Sequence, residues 1–496
     1  MADPQSKITA TDAFPVMSTG SLLGNVAVFL GELIQRATRD IATGEPVPIE
    51  RVRVPLPFSR AAGSDYLRIV QLWTGYRAAH PVTAPPRSCP ACRKDDSQFA
   101  FVSYDRYTYH ECQQCGTWFV PLQIDERVID EFFAAVPEAR RIADQMMVGR
   151  DEGTRDNDRA RFSGYFRMLG QLTPAGASRL RYLDIGSGVG HSVELAAELG
   201  WDATGVESSV VAVTTARAKG RNVQQPGDPA AAGPYDVVSL FETLEHITDP
   251  DPVLADAIRQ LAPGGVVMIT VPNRGSFEMS ILRGRCFHIF GGSENVGHIN
   301  LFDVRGLDAL LTRHGLSLMF TDGQFSSDLP QMFSSLTVTG PSALDWAGQD
   351  HIDLALPSAA YTVLNNLGPA FSSLERSLKR SPILIAIACR HADRALLAAS
   401  IAALEQGRRQ ELLAGIDEGS LALATHESQF RTLLADAQNE IARRDVLLAE
   451  TATEFQKEIN LRDELLEAER AKLDRTIDAR LRRVLRRVSR GFSSRR

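Results

Sequence analysis

The chain has 496 residues, of which 44% are hydrophobic and 23% are charged, a composition typical of a soluble globular protein with about three domains. Its formal net charge of −7 excludes a general nucleic-acid-coating protein, which needs an overall basic surface. Neither a secretory signal peptide nor an apolar run long enough to span a bilayer is found in the sequence. We therefore expect a cytoplasmic protein.

The N-terminal region, residues 1–84, is predicted to be helical and carries no residues with recognisable chemistry. Amphipathic helical patterns cover 26–37 and 66–79. Three prolines within 81–86 then predict a linker.

Four of the six cysteines form two C-x-x-C pairs, Cys89 with Cys92 and Cys112 with Cys115, separated by nineteen residues. Each pair presents two thiolates to one ion, and two pairs complete a tetrahedron, so residues 85–121 are predicted to form a zinc ribbon. Four cysteines leave no coordination position open, which indicates a structural metal. The alternative is a redox pair.

Residues 122–178 are predicted to be a helical connector, and the region 179–395 follows with short apolar runs between amphipathic helical patterns. This alternation predicts βαβ units on a parallel sheet. The last strand is predicted at 383–389, after a poorly patterned insertion over 322–380, with 334–339 as a competing strand. Strands are also predicted over 181–185, 202–207, 237–241, 265–271 and 316–321.

A glycine-rich turn follows the first of these strands. Its glycines, Gly186, Gly188 and Gly190, have the spacing G-x-G-x-G, whereas dinucleotide folds have G-x-G-x-x-G. Asp184 precedes the turn. A carboxylate at this position would repel a pyrophosphate, but it would attract a ligand that carries an ammonium and a sulfonium. Glu207 ends the next strand, where an acid accepts hydrogen bonds from ribose hydroxyls. The alternative is another nucleotide-binding Rossmann-type fold.

These residues resemble the class I S-adenosylmethionine-dependent methyltransferases. The ribbon resembles the N-terminal zinc module of a subgroup associated with sugar or polysaccharide modification, so the resemblance covers about 85–321. Further segments similar to the family are YDVV (235–238), LEHI followed by DP (244–250), LAPGG (261–265), VPN (271–273) and GHINLF (297–302).

The resemblance implies an α/β fold with a Rossmann-like methyltransferase sheet, and S-adenosylmethionine as the cofactor. One departure lies in the third-strand region, 223–233, which is short and rich in proline and alanine, so that Asp228 is only the nearest candidate for an acid beside the adenine. The implied cofactor-binding residues are Asp184, Gly186, Ser187, Gly188, Gly190, Glu207, Asp228, Phe241 and Glu242.

Two histidines are candidates for the general base that a weakly nucleophilic acceptor, such as a sugar hydroxyl or carbon, requires. His246 and His298 both follow strand ends on the cofactor side, and histidine titrates near neutral pH. The alternative for each is a structural role in a loop. Glu242 and Glu245 are candidates to line the acceptor side, and Glu245 serves equally as a helix cap or to orient His246.

The C-terminal region has a helical pattern, and residues 396–475 are predicted to form a coiled coil through which the chain self-associates. The alternative is a long helix packed on its own domain. Residues 476–496 form a basic amphipathic tail, which suits an anionic membrane surface, an acidic partner, nucleic acid, or only a solvated helix end. The heptad positions are Leu434, Ile441, Leu448 and Phe455, then Ile459, Leu466 and Leu473.

Three functions are consistent with the sequence. The first is methylation of a sugar, glycan or glycolipid intermediate, with the protein at the inner face of the membrane. The second is methylation of RNA, which the acidic charge balance disfavours, so that nucleic acid is not the expected partner. The third is a non-catalytic coiled-coil scaffold with a vestigial methyltransferase fold.

Overall fold

The computed structural model of the protein describes residues 51–55, 60–81, 86–103, 107–122, 124, 126–172, 179–282, 297–327, 329, 332, 351–355, 371–373 and 375–425. The predicted helix at 26–37, the competing strand at 334–339, the heptad run at 434–473 and the basic tail lie outside the described residues.

Strands and helices alternate through the middle of the chain. The strands are β1 (Arg51–Pro55), β2 (Ser97–Val102), β3 (Thr108–Cys112), β4 (Trp118–Phe119), β5 (Arg181–Ile185), β6 (Asp202–Val206), β7 (Val223–Gln224), β8 (Tyr235–Phe241), β9 (Leu261–Pro272), β10 (Asn300–Leu301), β11 (Leu316–Gln324), β12 (His351–Ala355) and β13 (Ile383–Arg390). The helices are α1 (Arg60–Ala79), α2 (Glu126–Ala135), α3 (Pro137–Gly153), α4 (Arg155–Leu172), α5 (His191–Glu198), α6 (Val210–Ala218), α7 (Asp251–Gln260), α8 (Phe277–Leu282), α9 (Val304–Arg313) and α10 (Arg394–Thr425).

The central sheet has seven strands in the order β11-β13-β9-β8-β5-β6-β7. Strands β7, β6, β5, β8 and β9 are parallel, and β13 runs antiparallel between β9 and β11. The strand order reverses between β5 and β8, and ligands of open α/β sheets bind at such a switch point, beyond the carboxyl ends of the strands. The sheet confirms the predicted Rossmann-like α/β fold.

Apolar side chains bury both faces of this sheet. On one face, residues of β5, β9 and β13 pack against α4, α5, α6 and α10. On the other face, α7 and α9 join a cluster that also contains Cys89, Cys112, Cys115 and Phe119. The cysteine module is therefore packed into the same core as the second face of the central sheet.

A second sheet has four strands in the order β10-β4-β3-β2. Three of them belong to the cysteine module, but β10 comes from residues 300–301, nearly two hundred residues later. The predicted boundary at residue 121 therefore does not mark a separate domain, because the module shares its sheet with the segment that follows His298.

The first described residues differ from the prediction of an all-helical N-terminal region. Strand β1 covers Arg51–Pro55 and pairs antiparallel with β12, His351–Ala355, within the predicted insertion. The reason is a pairing across three hundred residues, which helical periodicity cannot reveal. Helix α1 does include the predicted helix at 66–79.

Most element boundaries follow the sequence pattern. The connector is helical, as α2, α3 and α4, and the strand predicted at 383–389 is confirmed as β13. Strand β9 is longer than predicted: it begins at Leu261, whereas the predicted strand begins at residue 265. Among the described residues, no helix has the length and apolar character needed to cross a bilayer.

Candidate active site

The glycine turn follows β5 at the carboxyl edge of the central sheet. Gly186, Gly188 and Gly190 have φ angles of 78°, 54° and 80°, in the left-handed region that favours glycine. The Gly186 amide donates to the carbonyl oxygen of Val206 at 2.8 Å, which ties the turn to β6. A Cβ at Gly186 would lie 2.5 Å from the Thr243 Oγ1 atom, whereas a Cβ at Gly188 would have no described heavy atom within 4 Å. The turn is therefore closed at Gly186 and open above Gly188.

Glu207 follows the end of β6, and its side chain crosses to the glycine turn. Its Oε2 atom accepts a hydrogen bond from the Gly188 amide at 2.9 Å, and its Oε1 atom accepts one from the Ser209 amide at 2.8 Å. Each carboxylate oxygen has a second lone pair, so the group retains acceptor capacity toward a ligand above the turn. The structure thus brings Glu207 and Gly188 together as the sequence predicts.

Asp184 lies beneath the turn and is only 2% exposed. Its Oδ1 atom accepts a hydrogen bond from the Ser239 hydroxyl at 2.6 Å, and its Oδ2 atom accepts one from the Ser192 hydroxyl. Burial raises the pKa of Asp184 to about 7, although the two hydroxyls oppose this shift. Burial therefore favours the protonated carboxyl, and a positive charge nearby would favour its ionised form.

Three other predicted cofactor residues have local packing or capping roles. Ser187 packs on β6, where a Cβ at Gly205 would lie 2.5 Å from its Oγ atom. Asp228 accepts a hydrogen bond from the Ala230 amide at 2.9 Å and caps a short turn after β7. Phe241 is buried and stacks on Phe162 of α4, with 5.3 Å between ring centroids. The contacts of Ser187 and Phe241 come from tertiary packing, whereas that of Asp228 is local to its own turn.

Glu242 has the unusual backbone angle φ = 50°, a conformation that non-glycine residues adopt mainly where the surrounding structure enforces it. Its Oε1 atom accepts a hydrogen bond from Arg161 Nη1 at 2.7 Å. Arg161, on α4, also donates to Asp158 Oδ1 at 3.2 Å. Burial lowers the pKa of Arg161, but the charges of Glu242 and Asp158 outweigh burial and raise it above its ordinary value. Sequence reasoning missed Arg161, because no motif surrounds it.

His246 and His298 lie side by side beyond the end of β8, with ring centroids 4.7 Å apart. The His246 Nδ1 atom is 3.2 Å from the Gly297 carbonyl oxygen. Since a carbonyl only accepts, Nδ1 carries the proton of the neutral ring, and Nε2 keeps its lone pair. This tautomer is the one that a general base requires at Nε2.

Glu245 completes this group and is fully buried. Its Oε1 atom is 3.9 Å from His298 Nε2, and within the described residues neither carboxylate oxygen has a hydrogen-bond partner. Burial, and then the charge of Glu242, raise the pKa of Glu245 well above its ordinary value. One side-chain nitrogen or oxygen atom from each of Glu245, His246 and His298 lies within 4.8 Å of the other two. The structure therefore places Glu245 beside both candidate bases, and it forms no helix cap there.

The four cysteine sulfurs lie within 4.8 Å of one another. Cys89 and Cys115 are separated by 3.6 Å between sulfurs, and Cys92 and Cys112 by 3.4 Å. These distances suit thiolates at about 2.3 Å around one tetrahedral zinc ion. The Cys89 thiol and Thr117 lower the pKa of Cys115 to about 5, which favours a thiolate there. The donor set and its geometry fit the predicted structural zinc.

Two matching turns present the sulfurs. The Arg93 amide donates to the Cys89 carbonyl, and the Gly116 amide donates to the Cys112 carbonyl, each at 2.9 Å. Both donors have positive φ, 60° at Arg93 and 77° at Gly116. The sequence suggests this conformation at Gly116, but nothing in it suggests the same conformation at Arg93.

The cysteine module contacts the segment that carries His298. Strand β10 pairs with β4, the Val120 amide donates to the Ile299 carbonyl at 2.9 Å, and the Tyr109 hydroxyl donates to the His298 carbonyl. The half-buried Arg87 side chain donates to the carbonyls of Val120, Thr248 and Ile299 at 2.6–2.9 Å. The module therefore holds the backbone on both sides of the histidine group.

The middle of the chain matches a known domain family. Residues 158–319 match a family model described as "Methyltransferase domain". This range includes the glycine turn, Glu207, both histidines and Glu245. It begins after the cysteine module and ends within β11.

Curated relatives match a shorter part of the chain. A "Ubiquinone biosynthesis O-methyltransferase" of Caulobacter sp. (strain K31) is 37% identical over 105 residues, which are 19% of this chain and 42% of that protein. The protein of the same name from Xanthomonas axonopodis pv. citri (strain 306) is 35% identical over 124 residues, which are 23% of this chain and 51% of that protein. The chain thus spans about half the length of the curated relatives that it matches.

A solved structure of a SAM dependent methyltransferase from Archaeoglobus fulgidus covers 48% of this chain and 94% of its own. Its sequence identity is 20% and its TM-score is 0.31. The fold assignment therefore comes from the strand order of the sheet.

Proposed function

We propose that the methyltransferase domain at 158–319 is active, and that the protein transfers a methyl group from S-adenosylmethionine to a sugar or glycan acceptor. The observation that carries the methyltransferase part is the turn at the switch point of the sheet, which is open above Gly188, with Glu207 beside the opening and Asp184 buried beneath the turn. A cofactor with ribose hydroxyls and positive charges suits these two acids.

In this proposal the cofactor supplies a methyl group on a positively charged sulfur. Glu207 accepts hydrogen bonds from the ribose, and its own bond from Gly188 fixes the carboxylate for that purpose. Asp184 becomes ionised in response to the positive charge above it, because its pKa of about 7 leaves both forms accessible. Arg161 holds Glu242 at the entrance to the acceptor side.

We assign the general base to His246, because its Nδ1 contact with Gly297 leaves the lone pair on Nε2. The proton of an acceptor hydroxyl or carbon acid moves to that nitrogen as the methyl group is transferred. Glu245 and His298 are positioning residues in this proposal, since they lie against His246 in a buried group. The main contribution of the protein is alignment of the two reactants and exclusion of water.

The sugar or glycan acceptor is supported by the fused cysteine module, which resembles the zinc module of the sugar-modifying subgroup. The names of the curated relatives favour a second candidate, an O-methyltransferase step in ubiquinone biosynthesis. The peripheral membrane location, the self-association and the roles of Phe241 and Asp228 in cofactor binding remain proposals from the sequence.

Calorimetric titration with S-adenosylmethionine tests the cofactor assignment. We expect one site per chain in the wild type and a loss of about tenfold or more in affinity for Glu207→Gln, because a charge-assisted hydrogen bond is removed. Glu198→Gln is a matched control on the surface of α5, where Glu198 pairs with Arg159. A wild-type protein that does not bind the cofactor would refute the function.

Transfer of a labelled methyl group into fractionated cell extract tests the acceptor. Label in the saccharide fraction supports the first candidate, and label in the quinone-containing lipid fraction supports the second. His246→Gln should lose transfer while retaining cofactor affinity, because the base acts on the acceptor. If cofactor affinity of His246→Gln fell as much as its methyl transfer, this result would argue against His246 as the base.

A further inference from the structure

A cavity of about 250 Å³ lies between α4, α10 and the carboxyl ends of β11, on the face of the sheet that α4 covers. Its floor is apolar, and its walls carry arginine and glutamine side chains. The residues that line it include Gly164, Arg167, Gln324, Phe325, Arg376 and Gly407. None of them belongs to the glycine turn or the histidine group. The geometry points to a binding site for a small anionic molecule with an apolar body, in which the acidic group is a carboxylate or a phosphate.

Two helix glycines provide the first argument. Gly164 lies inside α4 and Gly407 inside α10, where glycine weakens a helix relative to alanine. Both are only partly exposed, yet a Cβ at either would have no described heavy atom within 4 Å. Other helix glycines without such contacts, such as Gly170, are exposed. Gly164 and Gly407 therefore keep open a space inside the fold, and neither close packing nor positive φ requires them.

The charges provide the second argument. Arg376 and Arg408 both donate to the buried Asp322, and Arg408 also pairs with Glu411. Arg167 has no ion-pair partner within the described residues. Arg167, Arg376 and Arg408 carry three positive charges, and Asp322 and Glu411 carry two negative charges. One positive charge at the cavity is therefore not balanced by these acids. An anionic group would balance that charge.

The polar atoms that remain provide a donor set. The Tyr165 hydroxyl donates to Gln324 Oε1, and among the described contacts the Gln324 amide nitrogen has no protein acceptor. Arg376 uses Nε and Nη2 on Asp322 and leaves Nη1 for another acceptor. Together with Arg167, these groups are donors only, which is the chemistry that recognises a carboxylate or a phosphate.

The mouth of the cavity has a strained aromatic residue. Phe325 has φ = 62° and is 46% exposed, a conformation and an exposure that are both unfavourable for a large apolar side chain. Ile385, Met168 and Leu404 form the apolar floor. A ligand with an apolar body would contact this floor and cover the Phe325 ring.

Calorimetry with phenyl phosphate and with benzoate, and with phenol as the neutral comparison, tests the site on the full-length protein. We expect dissociation constants of about 1 mM or tighter for at least one of the anions and at least tenfold weaker binding of phenol. The stronger of the two anions identifies the acidic group. Failure of both anions to bind would overturn the proposal, whether or not the cofactor binds at the glycine turn.

Variants locate the binding. Gly164→Leu fills the cavity and should weaken anion binding at least tenfold without lowering the unfolding temperature, because leucine favours the helix. Gly170→Leu, on the same helix but outside the cavity, is the matched control and should bind as the wild type does. Arg167→Gln should weaken binding at least fivefold, whereas Arg159→Gln, also on α4, should not. Unchanged binding in both Gly164→Leu and Arg167→Gln would place the ligand elsewhere and refute the site.

Discussion

The glycine turn and the histidine group lie at the same edge of the central sheet, but the chain assembles them differently. The glycine turn and Glu207 belong to one stretch, 184–207, and the hydrogen bonds between them join the neighbouring strands β5 and β6. The histidine group comes from three stretches, 87–120, 244–248 and 297–302, which are joined by strand pairing and by Arg87. The glycine turn is therefore a local structure, whereas the histidine group depends on the cysteine module.

The largest effect should follow from replacing one of the four cysteines predicted to bind zinc. Cys112→Ser should lose the capacity to bind zinc, because the ion would need all four thiolates and apparent binding energies of structural zinc are about 10–16 kcal/mol. We expect backbone amides at 297–302 to lose hydrogen-exchange protection by about tenfold or more, while amides at 184–207 keep theirs. Mass spectrometry of exchanged peptides and metal analysis measure both effects.

The buried Cys389 of β13 offers the control for this prediction, because Cys389→Ala removes a thiol that does not belong to the four-cysteine group. Cofactor affinity of Cys112→Ser should stay within about threefold of the wild type, since the glycine turn is local. Loss of protection in both regions would show that they are one cooperative unit.

The second effect distinguishes two glycines within the turn. Gly186→Ala places a Cβ 2.5 Å from Thr243 Oγ1 and should cost about 3 kcal/mol or more of unfolding free energy. Gly188→Ala meets open space and should cost only about 1–2 kcal/mol for its positive φ, but should abolish cofactor binding. Denaturant unfolding and calorimetry separate the two outcomes. Retained cofactor binding in Gly188→Ala would place the cofactor away from the turn.

The third effect is a pH dependence at Asp184. Its pKa is about 7 in the folded protein and about 3.9 when unfolded, so the folded state binds more protons between these values. The free energy of unfolding should therefore fall as the pH rises from about 4 to 7, by up to about 4 kcal/mol relative to Asp184→Asn. Cofactor affinity should rise over the same range in the wild type and not in Asp184→Asn.

Glu375→Gln is the control, because burial also raises the pKa of Glu375 to about 7. This variant should lose its own part of the stability slope but keep the pH dependence of cofactor affinity. If Asp184→Asn shows the wild-type pH dependence of cofactor affinity, the carboxyl does not respond to the cofactor charge.

The smallest effect concerns one hydroxyl between the cysteine module and the histidine group. Tyr109→Phe removes the hydrogen bond to the His298 carbonyl and should cost about 1 kcal/mol. Hydrogen exchange at 297–302 should rise several-fold, and the pH profile of methyl transfer should shift, because His298 contacts His246. Tyr235→Phe, at the start of β8, should change neither. An unchanged pH profile in Tyr109→Phe would mean that the module supports the fold without positioning the histidines.

The sequence predicts the local features well. The pairing of β5 with β6, the glycine turn with Glu207, and the two cysteine turns each depend on residues within about thirty positions, so their spacing carries the information. Other contacts join residues that are far apart in sequence. The hydrogen bond from Arg161 to Glu242 spans 81 positions, that from Arg87 to Thr248 spans 161, and the pairing of β10 with β4 spans about 180. Such contacts depend on tertiary packing, and no short motif records them.

The same reasoning explains the predicted residues that have other roles. Phe241 falls at a strand end, as cofactor-lining residues do, but α4 covers it with Phe162. Asp228 falls where an acid was expected, but β7 has only two residues and the carboxylate caps the next turn. The contacts of Phe241 thus come from a helix distant in sequence, whereas those of Asp228 come from the turn that directly follows it.

The sharing of one small sheet between the cysteine module and β10 has a consequence for dissecting the protein. A truncated chain that starts at residue 126 would keep every residue of the matched domain, but it would leave β10 with an unpaired edge and strip cover from the core beneath α7 and α9. Transfer of the cysteine module to another protein would fail for the same reason unless β10 were transferred with it. The smallest portable unit is therefore discontinuous in sequence.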